Sequence, residues 1–272
     1  MAERLRRARG SGVVLTCWLV GSVLLAFIVV PLLGLAAVQP VRNLVRVAAM
    51  PDVRLAIWLS LLAAFLTAGC AAILGVPLAY VLARGTFGGR DVVAAIVDLP
   101  LAVPHTVAGI ALLIVLGRQG PIGGPIGEVL GLRFWGTLAG VVAGMLFVSA
   151  PYAVNAAQIG FEAVDPRLEK VARTLGMGPW GVLLHVTLPL AWPGIMTGLT
   201  LTYARAISEF AAVAILAYYP MTAPVKIYEM FLQFGLEDAS AMALLMLLVT
   251  LALFILFRGL ARRRARFAGA GR

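Results

Sequence analysis

Six apolar runs, at 13–38, 55–83, 92–116, 136–160, 194–217 and 239–257, occupy most of this 272-residue chain. A helix needs about 20 such residues to cross a bilayer. No soluble domain can hide that much apolar surface with so little polar covering: only 12% of residues are charged, against about 25% in an ordinary globular protein. Lipid must wet much of the surface. The fold predicted is therefore an all-α membrane protein with about six transmembrane helices. The run at 55–83 contains no charge at all. The run at 13–38 follows basic residues, as a signal peptide would, but it far exceeds the 7–15 apolar residues of a signal core, so it reads as an uncleaved anchor.

The net charge of +10 would suit nucleic acid, but its placement argues against that partner. Arg4, Arg6, Arg7 and Arg9 gather before the first run, and Arg258, Arg262, Arg263, Arg264, Arg266 and Arg272 after the last. Basic clusters beside apolar spans set orientation and contact anionic lipid. Six spans put both termini on one side. With that side cytoplasmic, 15 Lys and Arg lie inside and six outside, as the positive-inside rule favours. Residues 1–12 and 258–272 then form basic cytoplasmic ends around one membrane domain at 13–257. Cys17 and Cys70 sit in apolar runs without metal-ligand spacing and read as small hydrophobes.

The segment at 161–193 is the longest cytoplasmic loop, and it is charged and amphipathic. Asp165-Pro166 is a helix start, with Asp as N-cap and Pro at the first position. Leu168, Val171, Ala172 and Leu175 follow at helical spacing, with Arg167, Glu169, Lys170, Arg173 and Thr174 on the other face. Gly176 sits where a helix-ending glycine belongs. Ten residues span about 15 Å, too little to cross. A second short helix is expected from Pro179, carrying Trp180, Leu183, Leu184 and Thr187 on one face and stopping at Pro189, with His185 opposite. Such helices are marginal alone in water, so either the headgroup layer or a protein groove must hold the first.

The stretch "KVARTLG" at 170–176, nine residues, then "VTLP" at 186–189 resembles the cytoplasmic loop of membrane subunits of ATP-binding-cassette importers. That pattern has Glu-Ala-Ala, three residues, Gly, nine residues, Ile-x-Leu-Pro. Lys170 replaces its Glu and Val171 its first Ala, with Glu169 one position earlier. "LGVPLAYVLAR" and "DLPLAVPHTVAGIALL" are similar to the same family. The resemblance implies that Leu168, Glu169, Lys170, Val171, Ala172, Arg173, Thr174, Leu175 and Gly176 dock on a cytoplasmic ATPase, supported by Leu188 and Pro189. It implies a homodimer in a bacterial or archaeal cell membrane, with two ATPase subunits and an extracytoplasmic binding protein. The chain is no enzyme by this reading. A phosphate-binding loop needs G-x-x-x-x-G-K, and the only lysines, Lys170 and Lys226, follow Glu169 and Val225. No cofactor is expected here; ATP and Mg belong to the partner.

In the fifth run, Arg205 and Glu209 are four apart and share a helix side. Intramembrane charges signal function, yet mutual neutralisation is the plainer reading of this pair. The other is that Arg205 and Ser208 line a path for an anion, with Glu209 beside them. "ILAYYPMTAPVKIYE" looks like the molybdate/tungstate permease branch, whose "SEF" neighbourhood sulfate and thiosulfate permeases share. A delivered oxyanion would meet the outer segments 38–54, 117–135 and 218–238, each bearing a cation. Asp98 and His105 have no ligand partners at metal spacing, so His105 reads as packing and no metal site is expected. Pro100 and Pro104 should break or bend the third span. A secondary transporter or channel would carry more intramembrane charge or an internal repeat, and a structural scaffold would not need the spaced loop.

Overall fold

The computed structural model describes the backbone of residues 2–269 and the side-chain surroundings of 13–255. The terminal arginine clusters lie outside the residues whose side chains are described, Arg272 wholly so. Every element is helical among the described residues. Five helices are long and apolar enough to cross a membrane, and a sixth span exists if one bent pair counts as one.

Helix α1 (Ala2–Val38) stands apart from the bundle: no residue of Val13–Val38 is buried. A short amphipathic helix, α2 (Val41–Ala49), buries Asn43 and Val47 and leads through Met50 into α3 (Pro51–Arg84), the longest span with fully described side chains. The third run is α4 (Arg90–Ala102) and α5 (His105–Leu116), bent by 112° between them. Of the two prolines expected to act there, Pro100 stays inside α4, while Pro104 makes the break. It pushes Val103 into extended backbone and offers no N–H of its own. Next come α6 (Gly123–Leu130) and the central span α7 (Leu138–Glu162), whose N-cap Thr137 accepts from Gly140 N.

Beyond α7 lies the polar loop with α8 (Pro166–Thr174) and α9 (Pro179–Val182). The second short helix does not stop at Pro189. A π-helical turn (Leu183–Thr187) carries α9 straight into α10 (Leu188–Ile207), so the fifth span starts near Pro179 rather than at 194. The wider turn, closed from Leu188 N to Leu183 O, places Pro189 in the first turn of α10, where its missing N–H is tolerated. Nor does that span run unbroken to 217: it breaks at Ser208–Phe210 and resumes as α11 (Ala211–Leu216). The segment at 218–238, expected as loop, holds α12 (Ala223–Phe234) ahead of α13 (Leu236–Gly269).

Helix α7 packs against both α3 and α10. In lipid no hydrophobic force draws helices together, so close backbone approach must do it, and small residues permit that approach. A Cβ on Gly194 of α10 would lie 2.5 Å from Gly160 Cα of α7, and one on Gly198 would lie 2.9 Å from Ala153 O. On α3, Ala63, Ala64, Ala71 and Ala79 are buried. Two apolar clusters result, one around Leu82, Val154, Phe161 and Ile195 near α8, the other around Val47, Met145, Val213, Met230 and Met242 toward the opposite end.

Candidate functional site

The local sequence forms α8 as its ends demand. Asp165 Oδ1 accepts from Arg167 N at 2.9 Å, and Pro166 takes the first helical position. At the far end Gly176 adopts φ +91°, with Gly176 N–H bonding Arg173 O and Met177 N–H bonding Ala172 O. This is the paired closure that a left-handed glycine allows.

One residue of α8 departs from the expected arrangement. Leu168, Val171 and Leu175, the stripe expected to meet headgroups or a protein groove, are exposed, Leu175 by 81%. Glu169, assigned to the wet face, is buried, as is Ala172 three residues on. The cause is a distant partner. Arg84 closes α3, where a cation suits the helix's negative end. Its Nε and Nη2 both lie 3.0 Å from Glu169 Oε1, and Nη2 also donates to Val164 O at 2.8 Å. Thr187, in the π turn, donates to the same Oε1 at 3.0 Å. The ion pair thus ties α8 to α3, to the connection after α7 and to the turn entering α10. Arg90 and Glu162 add a link from α4 to α7 at 3.2 Å, but both side chains are over 40% exposed, so it is worth little.

What α8 turns outward is apolar and basic. Leu168, Val171, Leu175, Met177 and Trp180 are exposed beside Arg167, Lys170 and Arg173; Thr174 is exposed too, its hydroxyl donating to Val171 O. Lys170, in place of the usual acid, therefore gives this face a third cation, and Glu169 supplies no charge to it. Leu188 packs into the nearby cluster, while Pro189 is exposed.

A second polar group lies where both broken spans break. Arg205 Nη2 donates to Glu209 Oε2 at 2.9 Å. Glu209 Oε1 accepts from Ala212 N at 3.0 Å, capping α11, and this explains why the helix restarts there. His105, the first residue of α5, places Nδ1 3.3 Å from Oε2, while Arg205 Nη2 lies 3.0 Å from each of its ring nitrogens. Arg205 Nη1 reaches Ser208 Oγ at 3.4 Å. The expected pair is present, and His105 joins it rather than merely packing. Asp98 accepts from Asn155 at 2.7 Å.

At the end opposite α8, two of the six cations in the expected cargo-receiving segments are held in ion pairs. Arg46 pairs with Asp238, and Lys226 lies 2.8 Å from Asp52 and 2.7 Å from Glu229. Burial depresses the Lys226 ammonium, but the two carboxylates outweigh it and raise its pKa above the usual lysine value. Arg118 instead lines a pocket of about 440 Å³ with Leu113, Gln119 and Trp135. No group of three metal-ligating residues occurs among the described residues.

The sequence profile of the binding-protein-dependent transport system inner membrane components matches residues 71–266. The chain belongs to that family. It is 43% identical over 246 residues, 90% of this chain and 94% of the relative, to the molybdate/tungstate transport system permease protein WtpB of Thermococcus kodakarensis. A probable sulfate transport system permease protein, cysT of Nephroselmis olivacea, is more distant at 32% over 242 residues, 88% and 85% of the two chains. A bacterial transporter that imports the acidic polysaccharide alginate shares the fold, with a TM-score of 0.75 at 19% identity over 96% of this chain and 99% of that one. As a member, the chain is a multi-pass membrane protein.

Proposed function

We propose that this chain is the membrane-spanning permease subunit of an ATP-driven importer for molybdate or tungstate. It works as a homodimer, with both termini cytoplasmic, two ATPase subunits seated on α8 and an extracytoplasmic binding protein supplying the oxyanion. ATP and Mg stay on the ATPases. One observation carries the coupling role: α8 exposes an apolar and cationic face while its buried side is fixed to α3 through Glu169 and Arg84. An exposed apolar patch rimmed by charge marks a protein partner, and a rigid tie converts that partner's motion into movement of a span. Cargo would pass the break at Arg205, Ser208 and Glu209. The identity to WtpB over nearly the whole chain supports the substrate assignment.

The test is uptake of labelled molybdate into vesicles holding the permease, its ATPase and its binding protein. ATP-dependent uptake competed by tungstate and molybdate but poorly by sulfate is expected. Equal competition by sulfate would overturn the oxyanion branch, and uptake indifferent to the ATPase would overturn the importer reading.

A further inference from the structure

We infer that Glu209 is a built-in counter-ion that keeps an oxyanion contact at Arg205 weak enough to release its cargo. This rests on the importer reading above. The cluster joins the break between α4 and α5 to the break between α10 and α11. The carboxylate is sealed, with its side chain 1% exposed, whereas Arg205 is 21% and His105 37% exposed, and Ser208 is exposed. An exposed guanidinium edge inside a membrane span cannot face lipid at acceptable cost, so it faces water or another protein surface.

The asymmetry defines what the cluster can do. The acidic member is withdrawn and held by an Arg205 Nη2, by His105 and by the Ala212 amide. What remains outward is the free part of the Arg205 guanidinium, because Ser208 donates its hydroxyl to Arg205 O and both His105 ring nitrogens lie against the pair. A guanidinium has five N–H groups; one binds Glu209 and one reaches Ser208 Oγ, leaving others to donate to a tetrahedral oxyanion. The charge it would present is largely cancelled from behind. A doubly charged cargo thus meets oriented donors without a full uncompensated cation. A transit step must bind well enough to admit an ion and weakly enough to let it leave. Cancelling the charge while keeping the donors achieves both.

Glu209→Gln tests this because the amide keeps an oxygen for the Ala212 N–H while removing the counter-charge. The complete transporter in lipid nanodiscs, without ATP or binding protein, is titrated with labelled tungstate. The wild type should bind weakly, E209Q at least tenfold more tightly, and E209Q/R205Q no better than the wild type. Uptake by E209Q should slow at saturating substrate as release becomes limiting. No gain in E209Q, or a gain that survives loss of Arg205, overturns the inference. If E209Q fails to assemble, His105→Arg at its part-exposed position decides instead: added cationic charge should tighten tungstate binding, and unchanged affinity overturns the inference. Failure here is separable from failure of the proposed function. A wild type that imports no molybdate or tungstate sinks the substrate reading; a wild type that imports them with an E209Q that gains nothing sinks only the counter-ion.

Discussion

Two buried glutamates each hold an arginine, yet the pairs differ in reach. Glu169 and Arg84 are 85 residues apart and join α3, α8, the turn entering α10 and the connection after α7 at one end of the bundle. Glu209 and Arg205 are four apart and sit within one interrupted span. In the first pair both charges are largely enclosed, with Arg84 18% and Glu169 7% exposed. In the second, Arg205 is 21% exposed, hardly more than Arg84, but its neighbours His105, at 37%, and Ser208 leave the cluster open on one side. An enclosed pair gains little net stability over apolar packing, but removing one partner is expensive. It therefore acts as a fixed strut. A pair whose surroundings are open can still offer donors to a visitor. The same two residue types make a mechanical part in one place and a polar step in the other.

The widest separation should come from Arg84→Ala, which leaves Glu169 buried with only the Thr187 hydroxyl. A loss of about 3–5 kcal/mol is expected, read as poor recovery of the permease and ATP hydrolysis detached from uptake in the assembled transporter. Arg205→Gln should cost the fold less, about 1.5–3 kcal/mol, since His105 and the Ala212 amide still hold Glu209. Its thermal unfolding in detergent should fall between Arg84→Ala and wild type; a larger loss than Arg84→Ala would erase the distinction between strut and step. Gly176→Val forces a β-branched residue into φ +91°, costing about 1–2 kcal/mol. It should leave membrane insertion intact while uncoupling hydrolysis from uptake, and unchanged uptake would free α8 from its assigned role. Thr187→Val removes one of the bonds to Glu169 Oε1, worth about 1 kcal/mol, with a slight fall in unfolding temperature and near-normal uptake.

The parts of this fold that were readable in advance obey local rules. Lipid demands long apolar runs, and those at 13–38, 55–83, 136–160 and 239–257 stand close to their predicted places. Asp165-Pro166 and Gly176 bound α8 because caps and left-handed glycines act over one turn. The errors arise where a distant residue decides. Periodicity put Glu169 on the wet face; Arg84, itself a lone cation closing an apolar run, pulls it inward. In "AISEFAAV" the apolar run continues on both sides of Ser208-Glu209, so the break at Ser208–Phe210 emerges only once Glu209 is seen capping α11. Pro189 looked like a stop, and the π turn before it removes the reason to stop. His105 is isolated in the sequence because its partners lie about 100 residues further on.

The account stands on α8 seating against an ATPase rather than lying among headgroups. A photo-reactive amino acid in place of Val171, which is 56% exposed on the outward face, tests this in native membranes with the cognate ATPase present. The account predicts a covalent product containing that ATPase, its yield changing when ATP hydrolysis is arrested. Adducts with phospholipid alone, at the same yield with and without the ATPase, would contradict it.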